Sequence, residues 1–178
     1  MVRKVVAVIV LLTISAAIGA PVAAKVGNIS LADLAQQAEF IGVVRVDSIS
    51  IGIPFLRRSR ATSNVLESWK GQREGRVSFV AAPTWICDIT EANKNEEAVV
   101  FIQDGRVLHA GRGKMPVFTR DGRRLAAYWP EVKLPAEIIT EEGPEPEYRF
   151  IRGVSVSALR SAIASSPPAG NSAARTWR

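Results

Sequence analysis

The sequence predicts a mainly β protein: a small antiparallel, OB-like β-barrel or curled sheet with a short helix at each end. Three observations predict it. Apolar and polar residues alternate over most of the stretch from Phe40 to Trp129. The turn dipeptides Asp104-Gly105 and Asp121-Gly122 separate neighbouring runs. Helical spacing is confined to the two flanks, so the strand–helix alternation of a parallel doubly wound sheet is missing.

The chain has 178 residues and a formal net charge of +6. Its first 24 residues read as a secretory signal peptide. Arg3 and Lys4 precede an uncharged run from Val5 to Ile18, Gly19 and Pro21 break it, and Val22-Ala23-Ala24 supplies small residues for cleavage after Ala24. The run is shorter than the ~20 apolar residues that cross a bilayer, so no stable membrane anchor is expected after cleavage. Lipoprotein processing needs a cysteine at the cleavage point, and the single cysteine is Cys87. A periplasmic or secreted bacterial protein is the expectation.

The domain is expected over 25–164. Ser30 can cap a helix and Asp33, three residues on, can answer it, with Leu31, Leu34, Ala35 and Ala38 at helical spacing. Phe40 to Ser50 reads as a strand that bends or bulges at Gly42. After a loop with Pro54 and the Arg57–Arg60 cluster, Arg60 to Trp69 is extended, with Ala61, Ser63, Val65 and Glu67 on one side. Lys70-Gly71 stops it, and Arg76 to Ala81 pairs back as a hairpin.

Thr84 to Glu97 is a long connection holding Trp85, Cys87 and Asp88. The short apolar run Ala98–Ile102 suits a buried strand. Strands follow over Arg106–Ala110, Met115–Thr119 and Arg124–Trp129, with Gly111 and Gly113 as punctuation. Pro130 to Pro146 reads as an acidic loop, Tyr148 to Val154 as a final strand, and Ser157 to Ala164 as a helix with Leu159 and Ile163 inward. Ser165 to Arg178 has no hydrophobic period and reads as a disordered tail. No internal repeat occurs.

Ala35 to Val46, the Val65–Gly71 run Val-Leu-Glu-Ser-Trp-Lys-Gly, and Cys87-Asp88 followed by Glu96-Glu97-Ala-Val-Val-Phe-Ile together resemble a group of small exported bacterial proteins. Their OB-type barrels are similar to those of tissue inhibitors of metalloproteinases and netrin-like modules. The resemblance spans Ser30 to Leu125 and implies the barrel fold. Those inhibitors place a cysteine at the mature amino terminus, where it reaches a protease's zinc. Here Lys25 takes that place, so the resemblance does not imply protease inhibition.

Chemical signatures are sparse. A zinc site needs three or four N, S or carboxylate ligands, and His109 and Cys87 are the only soft candidates, so no metal or other cofactor is expected. His109 is expected on a partly exposed strand. No Gly-x-Ser-x-Gly elbow occurs, and Cys87 and His109 fall on separate elements. Gly111-Arg112-Gly113-Lys114 lacks the phosphate-loop spacing and reads as a turn between strands. Removing Arg3 and Lys4 from 23 basic residues leaves 21 against 17 acidic, a formal +4. That excess is mild and not interleaved with aromatics, so no nucleic-acid partner is expected.

The expected function is an exported non-catalytic binding module whose partner the sequence does not name, an envelope protein being one candidate given export. Trp85, Cys87, Asp88 and Trp69 are the candidate binding residues. Trp69, Trp85, Trp129 and Phe55 fall at strand ends or in loops, where aromatics serve recognition or close the barrel ends. Cys87 is either buried as a small hydrophobe, bonded to another chain or exposed for exchange. The alternative function is an envelope enzyme with a site built from loop carboxylates and arginines.

Overall fold

A computed structural model describes residues 26–52, 58–71, 74–83, 88–144 and 151–165. Residues 1–25, Phe55, Trp85, Cys87, Tyr148 and residues 166–178 lie outside these. Strand β1 (Ile29–Ser30) runs directly into helix α1 (Leu31–Gln37). The Ser30 hydroxyl accepts from the Asp33 amide at 3.0 Å and donates to the Asp33 carboxylate at 2.6 Å. That exchange satisfies a free amide of the first turn, as the Ser-x-x-Asp spacing predicts. So short a helix is held by packing more than by propensity. Leu31, Leu34 and Ala35 supply it by burying one face.

The strands that follow are β2 (Phe40–Ser50), β3 (Arg60–Lys70), β4 (Arg76–Val80), β5 (Glu97–Gln103), β6 (Arg106–Val107), β7 (Lys114–Arg120), β8 (Arg123–Tyr128), β9 (Val132–Lys133), β10 (Thr140–Glu142) and β11 (Arg152–Ser155). Helix α2 (Val156–Ser165) closes the described chain and reaches one residue into the predicted tail. One antiparallel sheet has the order β10-β11-β8-β7-β5-β2-β3-β4, with β6 also paired to β5. Strands β1 and β9 form a separate parallel pair. Asp104-Gly105 and Asp121-Gly122 each place both residues at positive φ, between 50° and 73°. Two such residues make a type I′ turn, whose twist suits a two-residue hairpin.

Two cores lie on opposite faces of this sheet. Ile41, Val43, Val99, Phe101, Met115 and Ala126 face inward with the apolar sides of α1 and α2. Phe40, Val44, Val46, Ala61, Phe79, Val100 and Ile102 form the second cluster. Strands β2 and β5 therefore bury both faces, which is why Ala98–Ile102 is apolar without alternation. The sheet is a curled one and not a closed barrel. At one end the Val80 amide donates to the Gly105 carbonyl at 2.9 Å, without a ladder between β4 and β6.

Bulges produce the bending. The β2–β3 register breaks between Ile41 and Gly42, between Val43 and Val44, and between Val46 and Ser48. A Cβ on Gly42 would sit 2.2 Å from the Glu67 carbonyl, so β3 crosses too close for any side chain there. Because Val43 opposes Glu67 and Val44 opposes Val65, Leu66 is the extra residue. Val65 packs on the second cluster, while Glu67 turns to the inner face, so the expected same-side grouping of Val65 with Glu67 is corrected.

The predicted strand through Ala110 also needs correction. It stops at Val107, and His109 and Ala110 are left-handed, at φ 54° and 50°. Strands β1, β9 and β10 were not expected. Each is two or three residues long, too short to show a period.

Candidate functional site

Beyond β6 the chain leaves the edge of β5 and returns to it as β7. The excursion is a left-handed turn in which His109, Ala110 and Gly111 all have positive φ. It closes by hydrogen bonds from the Gly113 amide to the Leu108 carbonyl (3.1 Å) and from the Lys114 amide to the Gly111 carbonyl (2.9 Å). A left-handed residue other than glycine costs ~1–2 kcal/mol, so two of them need outside support. The 88–91 segment provides it. The Ile89 amide donates to the Ala110 carbonyl at 3.1 Å, and a Cβ on Gly111 would stand 2.5 Å from the Thr90 nitrogen. Asp88 stiffens that segment by accepting from the Thr90 amide (2.9 Å) and hydroxyl (2.5 Å). His109 Nε2 lies 2.7 Å from the Gly27 carbonyl and ties the amino-terminal stretch to the same turn.

The turn delivers Lys114 into a cleft of about 660 Å³ on the outer face of β7 and β8. Ile89, Pro116, Phe118, Trp129 and Ile151 form its apolar walls, with Glu91, Glu96 and Lys114 as its charged members. The Lys114 ammonium donates to Glu96 at 2.5 Å, with only 9% and 12% of the two side chains exposed. The other Glu96 oxygen accepts from the Asn93 amide at 2.8 Å. Beside the cleft, the Arg112 guanidinium lies 5.7 Å from the Trp129 ring centre and 3.6 Å from Glu131. Trp129 is thereby braced by a cation–π contact.

A second, shallower groove lies at the mouth of the inner face, lined by Arg45, Leu66, Glu67, Glu97 and Arg124. Arg124 donates to Glu97 and, at 3.0 Å, to Glu67. Arg45 binds the other oxygen of Glu97 at 3.2 Å. The remaining Glu67 oxygen accepts from the Trp69 indole at 3.1 Å and lies 3.6 Å from Arg160. The indole N–H holds the Glu67 carboxyl below the usual range, and the Arg124 guanidinium adds to this against partial burial. Glu97 first, then Glu67, pushes Arg124 further above its ordinary value. With its carboxyl held below the usual range and both oxygens engaged, Glu67 acts as a counter-ion, poorly suited to taking up a proton.

Of the candidate residues, Trp85 and Cys87 lie outside the described residues. Asp88 is buried and borders a smaller hollow of about 260 Å³ with Thr90, Arg106 and Ala110. Trp69 packs against the inner core. The structure thus sets Asp88 and Trp69 in different surroundings and neither in the main cleft. The 88–96 loop, which carries Asp88, does form one wall of that cleft. Lys114, Glu96, Phe118 and Ile151 were not foreseen as neighbours. The only signal was Gly111-Arg112-Gly113-Lys114, rightly expected as a turn but silent about where Lys114 points.

Among the described residues, no group of three or more His, Cys, Asp and Glu is arranged to hold a metal ion, and no helix is long and apolar enough to cross a membrane. No protein-family model, curated protein or solved structure matches the chain.

Proposed function

We propose that the chain is an exported, non-catalytic binding module that holds a segment of an envelope protein in the cleft between the 88–96 loop and strands β7 and β8. The Lys114–Glu96 pair carries this reading. It is almost fully buried and lines a largely apolar cleft. A buried ion pair gains little net stability over apolar residues of the same volume, because desolvating both charges costs about as much as their attraction returns. Retaining one here suits recognition, where a fixed polar group among apolar walls orients a partner. The half-buried aromatics Phe118 and Trp129 are the residue types that anchor interfaces. Export is supported by the Arg3-Lys4 patch, the apolar Val5–Ile18 run and the small residues before Lys25.

The test is affinity capture from an envelope extract with the tagged exported chain, comparing wild type with Trp129→Ala, with and without reductant. The expected outcome is a specific protein recovered by wild type under both conditions and lost with the variant, whose circular dichroism stays native. Equal recovery by both chains would contradict the assignment of the cleft. Recovery only without reductant would move the link to Cys87.

A further inference from the structure

We propose that the segment held in this cleft carries a lysine or arginine next to an apolar or aromatic side chain. This inference rests on the binding reading above and adds the chemistry of the ligand. Among the described residues, the charged lining consists of two carboxylates, Glu91 and Glu96, and one ammonium, Lys114, which leaves one negative charge. On a chain of net charge +6 this cleft is a local acidic exception.

The two carboxylates are not equivalent. Glu96 is saturated, with one oxygen on Lys114 at 2.5 Å and the other on the Asn93 amide at 2.8 Å. Glu91 is exposed on the rim, and its carboxylate has no hydrogen-bond or ion-pair partner among the described residues. A cation on the ligand would meet Glu91 while its apolar neighbour covers Phe118 and Trp129. An acidic ligand fares worse. Its carboxylate would compete with Glu96 for the Lys114 ammonium and would meet the exposed Glu91 carboxylate on the same cleft lining, an unfavourable like-charge contact. The cleft is also half open to solvent, which suits a chain that continues past it. A small ligand instead relies on enclosure, with ~70–90% of its surface buried.

The experiment is selection of a random-sequence peptide library on the full chain, followed by titration of an enriched peptide against variants. Enriched peptides should carry Lys or Arg within two positions of an aromatic or aliphatic residue. Replacing that basic residue by glutamine should weaken binding about fivefold, the effect of one partly exposed ion pair. Glu91→Gln should weaken it equally, and the two changes together should add nothing further. Enrichment of acidic peptides, or an unchanged affinity for Glu91→Gln, would overturn the basic-ligand inference while leaving the cleft intact. Peptides that bind Trp129→Ala as well as wild type, or no enrichment at all, would overturn the binding reading and this inference with it.

Discussion

Arg124 on β8 donates to Glu67 on β3 at 3.0 Å, although β7, β5 and β2 stand between those strands in the sheet. On a flat sheet four strand spacings would separate them by ~19 Å. The contact measures how far the sheet has curled. It also shows what holds the mouth together: side chains, with no backbone ladder between β3 and β8. The bulge at Leu66 makes this possible by turning Glu67 to the inner face.

Arg124→Ala is expected to destabilise the fold by ~1 kcal/mol, because it removes the cation that joins Glu67 to Glu97 while Arg45, Trp69 and Arg160 still engage them. Glu67→Gln keeps one acceptor oxygen, enough for either the Trp69 indole or Arg124, which now use different oxygens, and should cost less than Arg124→Ala. Urea unfolding of the two variants beside wild type checks the order. Equal midpoints would show that the network does not hold the curl.

Glu67 also predicts a pH dependence. Its folded pKa is lowered by the Trp69 indole and then by Arg124. A depressed carboxyl contributes stability that is complete above its unfolded value of about 4.3 and disappears as pH falls through the lower folded value. The stability gap between wild type and Glu67→Gln should therefore be constant near neutral pH and shrink as pH drops below about 4.5. A gap that widens in acid would reverse the sign of the argument.

The left-handed turn gives an opposed pair. Gly111→Ala forces a Cβ to within 2.5 Å of the Thr90 nitrogen at φ 84°, and should cost about 3 kcal/mol. Ala110→Gly relieves a left-handed alanine at φ 50° and should stabilise by up to ~1 kcal/mol. Thermal melts of both decide it, since a turn of ordinary handedness would give losses for both.

Trp69 and Trp129 should separate fold from binding. Trp69 packs on the inner core and bonds Glu67, so Trp69→Ala is expected to lose ~2–3 kcal/mol of stability. Trp129→Ala should lose partner binding with a far smaller loss of stability. Denaturant midpoints and capture yields, measured on the same preparations, give both readouts.

Much of the fold was legible because its signals are local. The Ser30/Asp33 cap, the two Asp-Gly hairpins and the limits of β2 follow from residues within a few positions of one another. What escaped is non-local. The side to which Glu67 points depends on an unpaired Leu66 opposite β2, and bulges leave no mark on an alternating pattern. His109 and Ala110 carry no glycine-like signal, and their left-handed backbone leans on contact with the 88–91 segment, distant along the chain. The cleft joins Glu96 on the loop, Lys114 and Phe118 on β7, Trp129 after β8 and Ile151 before β11, and no spacing along the chain brings those together. Asp88 shows the reverse case: the correct loop was visible, while the part its own side chain plays there, buttressing Thr90, was not.

The most direct test of the cleft is site-specific photocrosslinking in the intact envelope. A photoreactive residue is placed at Phe118 in the cleft, at Leu66 beside the inner mouth, and at Ile139, 84% exposed and outside the cleft lining. A partner crosslinked from position 118 alone is the predicted result. Crosslinking from 66 or 139 with none from 118 would contradict it and place recognition elsewhere on the molecule.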